Sequence, residues 1–199
     1  MKALVYLSIV TLPLSGQTSL YEIKPDPAGR FALEIYKTGF MSGKKHLFLF
    51  ERYEGALKYN AAAPGESVID VNIDAASFVV KDDWVSAGQA KSIREEAEGK
   101  NGLEVSKHPR IRFVSSSIAK AAGEGLYTVS GTLSIRGIDK PVTAQVTMKP
   151  AEAGALRFEG KAEVKLKDYG IKPPSAALGT IGTRNEMAVS FTLIAKPRR

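Results

Sequence analysis

From residue 156 to 166 the chain alternates with a period of two. Leu156, Phe158, Gly160, Ala162, Val164 and Leu166 fall on one side, and Arg157, Glu159, Lys161, Glu163 and Lys165 fall on the other. Successive side chains of a strand point to opposite faces, so such a run buries one face and wets the other. The rule repeats at Tyr127, Val129, Gly131, Leu133 and Ile135, opposite Thr128, Ser130, Thr132, Ser134 and Arg136. It also predicts strands over 31–35, 69–73, 111–117, 142–148 and 187–193, with a less regular run over 46–59. About eight strands with one apolar face must hide both that face and their edges, which leaves a closed barrel or a two-sheet sandwich. Gly131 and Gly160, in mid-strand, mark bends or close approach.

Two segments break the pattern. Residues 86–98 (Ser-Ala-Gly-Gln-Ala-Lys-Ser-Ile-Arg-Glu-Glu-Ala-Glu) read as a short amphipathic helix, with Ala90, Ile93 and Ala97 at helical spacing and Gly99 and Gly102 beyond its end. One narrow face of it can pack across a mouth of the sheet. Residues 169–182 (Tyr-Gly-Ile-Lys-Pro-Pro-Ser-Ala-Ala-Leu-Gly-Thr-Ile-Gly) separate two strands. Pro173 and Pro174 lack backbone donors and have fixed φ, so this is a long shaped loop and not part of a ladder.

A chain of 199 residues, 44% hydrophobic and without an internal linker, suits one domain with a sizeable core. Met1-Lys2 followed by an apolar run to Leu14 is too short to span a bilayer and reads as a secretory signal over 1–19, leaving a barrel domain over 20–197. The expected location is periplasmic or secreted. The net charge of +7 favours anionic surfaces, including phospholipid headgroups. Basic residues are interspersed with glutamates and no aromatic stripe accompanies them, so nucleic-acid binding is not expected.

The residues for catalysis are missing. No cysteine is present, which removes thiolate nucleophiles, thiolate metal sites and disulfides. The two histidines, His46 and His108, have no spacing that suits a metal, and His108 before Pro109 reads as a surface turn residue. Gly39-Phe40-Met41-Ser42-Gly43 has its serine in the wrong place for a nucleophile elbow. Asp82-Asp83 reads as a solvated turn, since neighbours at a strand end point apart. Gly179-Thr180-Ile181-Gly182-Thr183 lacks the Lys-Ser/Thr ending of a P-loop and reads as the tail of the shaped loop. No catalytic residue, resident metal or cofactor is expected.

Four segments, in order, resemble one known family. Tyr169-Gly170-Ile171-Lys172-Pro173 is similar to the Phe-Gly-Ile-Lys-Pro signature of the YceI-like family, and residues 67–77 resemble its strand ending in Asp-Ala-Xaa-Ser. His108-Pro109-Arg110-Ile111-Arg112-Phe113 and residues 131–142 (Gly-Thr-Leu-Ser-Ile-Arg-Gly-Ile-Asp-Lys-Pro-Val) resemble two more of its strand segments. The resemblance implies an all-β, lipocalin-like, antiparallel eight-stranded barrel with a short helical insert. It also implies an extracytoplasmic protein that binds an isoprenoid, such as an isoprenoid quinone or polyprenyl lipid, or another long-chain lipid, with membrane-surface contact.

Periodicity alone leaves open whether the inward side chains fill the barrel or line a cavity. The resemblance favours a cavity. Its expected lining is Phe31, Leu33, Ile69, Val71, Ile73, Phe113 and Tyr127, with Val129, Leu133, Val146, Phe158, Val164, Phe191 and Leu193. The alternative is an extracytoplasmic, stress-responsive structural or interaction module with a filled barrel.

The chain departs from the family at two places. Gly43-Lys44-Lys45-His46 stands where a subgroup has Gly-His-Asp-His, and Gly29-Arg30 stands where His-Ser is usual in Asp-Pro-Ala-His-Ser-Xaa-Phe. The first change makes a cationic lip, so Lys44, Lys45 and His46, with Lys172 of the shaped loop, are the expected contacts for a phosphate or carboxylate headgroup.

Overall fold

A computed structural model describes residues 18–198. Among these residues the strand segments are β1 (Thr18–Ile23), β2 (Arg30–Gly39), β3 (Lys45–Phe50), β4 (Tyr53–Asn60), β5 (Val68–Asp74) and β6 (Phe78–Val80). They continue with β7 (Arg110–Lys120), β8 (Leu126–Ile135), β9 (Ile138–Pro150), β10 (Leu156–Lys165) and β11 (Ile181–Pro197). β1 and β2 lie end to end along one edge of β11, with Tyr21 opposite Pro197 and Phe31 opposite Phe191. β3 with β4, and β5 with β6, are likewise single staves broken once. The segments therefore form eight antiparallel staves in chain order, and β11 returns to β1 and β2 to close the barrel. Closure removes the free edges that an open sheet of this kind would expose.

The breaks in neighbouring staves lie side by side and are tied together. Asp74 Oδ1 accepts the Ala76 N–H at 2.9 Å, and Ser77 Oγ donates to the Asp74 carbonyl at 2.8 Å and accepts the Arg52 N–H at 3.2 Å. The Asp-Ala-Ala-Ser turn thus holds the β3–β4 break as well as its own.

Several boundaries differ from the sequence reading. β2 runs on to Gly39, because the inward alternation Phe31, Leu33, Ile35 continues into Lys37, whose charge hides it from a hydrophobicity pattern. β11 starts at Ile181, inside the segment read as loop tail, because a register shift between Thr183 and Met187 interrupts its period. β1 carries polar residues and β6 is only three residues long, so neither stands out by alternation. The signal read over 1–19 falls almost wholly on residues outside the described ones.

The helix α1 (Ala87–Glu98) lies where the sequence places it. Ser86 caps it reciprocally with Gln89: Ser86 Oγ accepts the Gln89 N–H at 3.3 Å, and Gln89 Oε1 accepts the Ser86 N–H at 2.8 Å. None of its residues is buried, but Ile93 and Ala97 rest on the core, and Arg94 Nη2 donates to the Ala76 carbonyl at 3.0 Å. The helix is a cover over one end of the barrel.

The core fills the opposite end and continues up the barrel wall through Phe48, Ile73, Val164 and Met187. Ile23, Leu57, Val71, Val129, Val146 and Leu193 are all buried there. At mid-height the packing becomes aromatic: Phe31 stacks on Phe191 at 6.1 Å and 14° and meets Phe50 edge-on at 6.1 Å. The mid-strand glycines make that layer possible. A Cβ on Gly160 would collide with the Phe191 ring, and one on Gly131 would lie 2.7 Å from the Phe113 ring.

Candidate functional site

Above the aromatic layer the barrel is open. A cavity of about 1160 Å³ runs from Phe31 and Phe50 at its floor to α1 and the 170–176 loop at its mouth. That exceeds the roughly 300–1,000 Å³ usual for small-molecule pockets. Its middle wall is apolar, built by Leu33, Phe48, Leu133, Val164 and Val189. Filled and hollow therefore describe different halves of one barrel.

The expected lining residues divide along the same line. Phe31, Leu33, Ile73, Leu133 and Val164 face the cavity. Ile69, Val71, Phe113, Tyr127 and Val129 belong to the packed core around and below the aromatic layer, as do Val146, Phe158, Phe191 and Leu193. Alternation identifies the inner face of a stave but carries no information about height along the barrel axis.

The mouth is braced by one arginine. Arg136, in the β8–β9 turn, donates from Nη1 to the Gly170 carbonyl at 2.9 Å and from Nη2 to the Lys100 carbonyl and Glu104 Oε2, each at 3.3 Å. It thereby ties the segment after α1 to the start of the shaped loop, and both segments line the cavity. Its backbone takes φ +54°, a conformation that ordinarily favours glycine. Lys107, 2.6 Å from Glu104, is the main cause holding the Glu104 carboxyl below its usual range, with Arg136 adding to it.

The shaped loop is anchored by its first residues. Leu166, Tyr169 and Ile171 are buried, and Gly170 turns the chain at φ +67°. Burial pushes the Tyr169 hydroxyl up to about 12, with Asp168 and Asp139 adding smaller contributions.

The cationic lip is split. Lys172 lines the cavity. Lys44 is exposed, with its ammonium 5.9 Å from the Trp84 ring. Lys45 points outward, 2.8 Å from Glu34, and that hydrogen bond raises the pKa of Lys45 and lowers that of Glu34.

His46 lines the cavity and is not alone. Its Nδ1 lies 2.5 Å from Asp82 Oδ2, while Asp82 Oδ1 accepts the Leu47 N–H at 2.7 Å. Trp84 lies against the imidazole at 5.2 Å, and its indole N–H donates to the Lys45 carbonyl at 2.9 Å. The reading of Asp82 as a solvated turn residue is corrected: its side chain is fully buried, because β6 pairs with β3 and delivers the following residues onto the start of β3. Asp83 is exposed. His108 is half-buried beside Gly137.

Two polar residues of the wall, Lys37 and Thr183, were not singled out from the sequence. Lys37 lies across from Thr183 in the β2–β11 ladder, and Ile35, two residues before it, lies across from His46. All four line the cavity. Extending the inward alternation of β2 by one step finds Lys37. No pattern finds Thr183, because the bulge that places it also breaks the period.

Comparisons with known proteins agree with this architecture. The YceI-like domain family matches residues 25–195. A protein of Pseudomonas fluorescens named UPF0312 is 30% identical over 186 residues, covering 90% of this chain and 92% of its own. Its counterpart in Pseudomonas syringae pv. syringae is 28% identical over 201 residues and 98% of each chain. Among solved structures, Burkholderia cenocepacia BcnA superposes with a TM-score of 0.63 at 23% identity, over 82% of this chain and 95% of that one. A Saccharophagus degradans domain described as polyisoprenoid binding, and implicated in plant cell wall breakdown, superposes with a TM-score of 0.60 at 15% identity, over 90% and 99%. On sequence and on fold, the chain belongs to the YceI-like domain family.

Proposed function

We propose that this protein binds an isoprenoid or other long-chain lipid noncovalently, with the tail in the open half of the barrel, and holds it as an exported carrier. The observation that carries this reading is the large apolar-walled cavity closed below by Phe31, Phe50 and Phe191. The polyisoprenoid-binding description of the Saccharophagus neighbour supports the choice of tail. A filled structural barrel is the weaker reading, since only the lower half is filled. No reaction is part of the proposal.

The rim supplies a place for exchange with a bilayer. Phe40 is 90% exposed and Leu178 fully so, on turns joined by the Phe40 N–H to the Thr180 carbonyl at 3.3 Å. Met41, next to Phe40 in sequence, and Lys172, at the start of the loop that carries Leu178, line the cavity, and Lys44 stands exposed on the same turn as Phe40. Two bare apolar tips among cations suit an anionic membrane surface.

The test is displacement of N-phenyl-1-naphthylamine from lipid-stripped protein by n-alkanols of increasing length. Each buried methylene contributes about 0.8 kcal/mol, so affinity is expected to rise about fourfold per carbon and to level off once the tail meets the aromatic floor. Affinity that is flat with length would refute the reading.

A further inference from the structure

Apart from the charged and polar residues that α1 and the loops bring to its mouth, the cavity wall is apolar except in one place. There, near the mouth, three neighbouring staves present three polar groups that the fold leaves incomplete. Lys37 is half-buried on the inner face of β2 and, among the described residues, has no carboxylate within ion-pair distance. Thr183 Oγ1, across the ladder from it, is buried without a hydrogen-bond partner, the one such side-chain atom among the described residues. His46 completes the set from β3.

Each defect has a cost that the fold does not offset internally. A buried hydroxyl without a partner forfeits the hydrogen bond it had with water, and a lysine turned into an apolar wall loses hydration. Packing does not require either group: Lys37 follows Phe31, Leu33 and Ile35 on the same face, and a fourth apolar residue would continue that wall. Thr183 sits where β11 bulges, and bulges re-aim side chains next to binding sites. The Asn185 side chain, in the bulge, accepts the Lys167 N–H at 3.0 Å and so ties the distortion to the turn that follows β10.

His46 is set up rather than incidental. Asp82 holds the ring in place: its Oδ2 meets His46 Nδ1 while its Oδ1 takes the Leu47 N–H. That leaves Nε2 as the ring's other polar atom, without a protein partner among the described residues, on a residue that forms part of the cavity wall. The remaining charged groups at the mouth lean positive. Lys100, Lys172 and Arg136 line it with Lys107, against Glu96 and the already paired Glu104.

We infer that Lys37, Thr183 Oγ1 and His46 form a head site for an anionic amphiphile, a long-chain carboxylate or phosphate monoester, whose oxygens accept from Lys37 and from the Thr183 hydroxyl. The inference rests on the lipid-binding reading and specifies its ligand class. The expected cationic lip is thereby relocated: Lys45 is spent on Glu34 outside the barrel, and Lys37 takes its place inside.

The test compares ligands with one tail and different heads: hexadecanol, hexadecanoate and hexadecyl phosphate, each competing against N-phenyl-1-naphthylamine on lipid-stripped protein. At least one anionic ligand is expected to bind at least about tenfold more tightly than hexadecanol, the size of one net charge-assisted hydrogen bond. Lys37→Met and Lys37→Gln should each bring that ratio to within about twofold. Thr183→Val should reduce it partly, and Lys45→Ala should leave it alone. Which anion gains more separates carboxylate from phosphate as the natural head. Equal binding of all three heads, or an unchanged ratio in both Lys37 variants, overturns the head site while leaving lipid binding in place. Failure of every ligand to displace the probe overturns both.

Discussion

Two tryptophans placed at different heights in the barrel separate the open half from the closed one. Leu133, on β8, lines the cavity, and the Val146 side chain, on neighbouring β9, is 6% exposed in the packed half with no part in that lining. Leu133→Trp has space to turn into. Its extra volume displaces roughly two methylenes of a tail, which at about 0.8 kcal/mol each is about 1.6 kcal/mol, a loss of about 15-fold in affinity. The same variant should change unfolding stability by less than about 1 kcal/mol, because the enlarged side chain does not compress neighbours. Val146→Trp meets a filled interior, where overpacking costs about 1–3 kcal/mol or more. Its folded fraction should bind hexadecanol as the parent does. Urea unfolding followed by circular dichroism gives the stabilities, and displacement of N-phenyl-1-naphthylamine gives the affinities. If Leu133→Trp is the destabilised variant, or binds ligand normally, the division into two halves is wrong.

Other parts of the structure make their own predictions. Arg136→Gly relieves a positive φ but removes the three bonds that join the mouth segments, so the fold should persist while lipid release speeds up about tenfold and amides over 99–108 exchange faster. Gly160→Ala should cost about 1–3 kcal/mol in urea unfolding, because the added methyl displaces the Phe191 ring. Tyr169 has its hydroxyl raised from 10.0 to about 12 by burial, so the folded state keeps a proton that the unfolded state loses. Its contribution is therefore constant below pH 10 and is lost as pH rises toward 12; in Tyr169→Phe that part of the alkaline decline should be missing. Protein from the native host should begin between Gly16 and Leu20; N-terminal sequencing that returned Met1 would contradict export.

The barrel was legible because its inner face is written residue by residue. In β10 each inward position from Leu156 to Val164 is apolar or glycine and each outward position is charged, and ladder pairing cannot alter that assignment. The helix was legible for a similar reason, since Ile93 and Ala97 keep helical spacing. The head site was not. Lys37 looks like any strand-end lysine until β11 is seen to continue alongside it, and Asp82 looks solvated until β6 lays it against the start of β3. These are contacts between segments about 35 and about 145 residues apart, which no local pattern encodes. The height of a residue along the barrel axis was hidden too. Val146 and Leu133 read alike by alternation, yet one is packed and the other faces open space.

Extraction of protein purified from its native host with organic solvent, followed by mass spectrometry of the extract, addresses the central claim most directly. The account predicts a single long-chain species with a prenyl or similar apolar tail, in an amount matching the protein, and less of it from Leu133→Trp. An extract with no more lipid than a mock purification, from protein whose barrel is intact by circular dichroism, would contradict it.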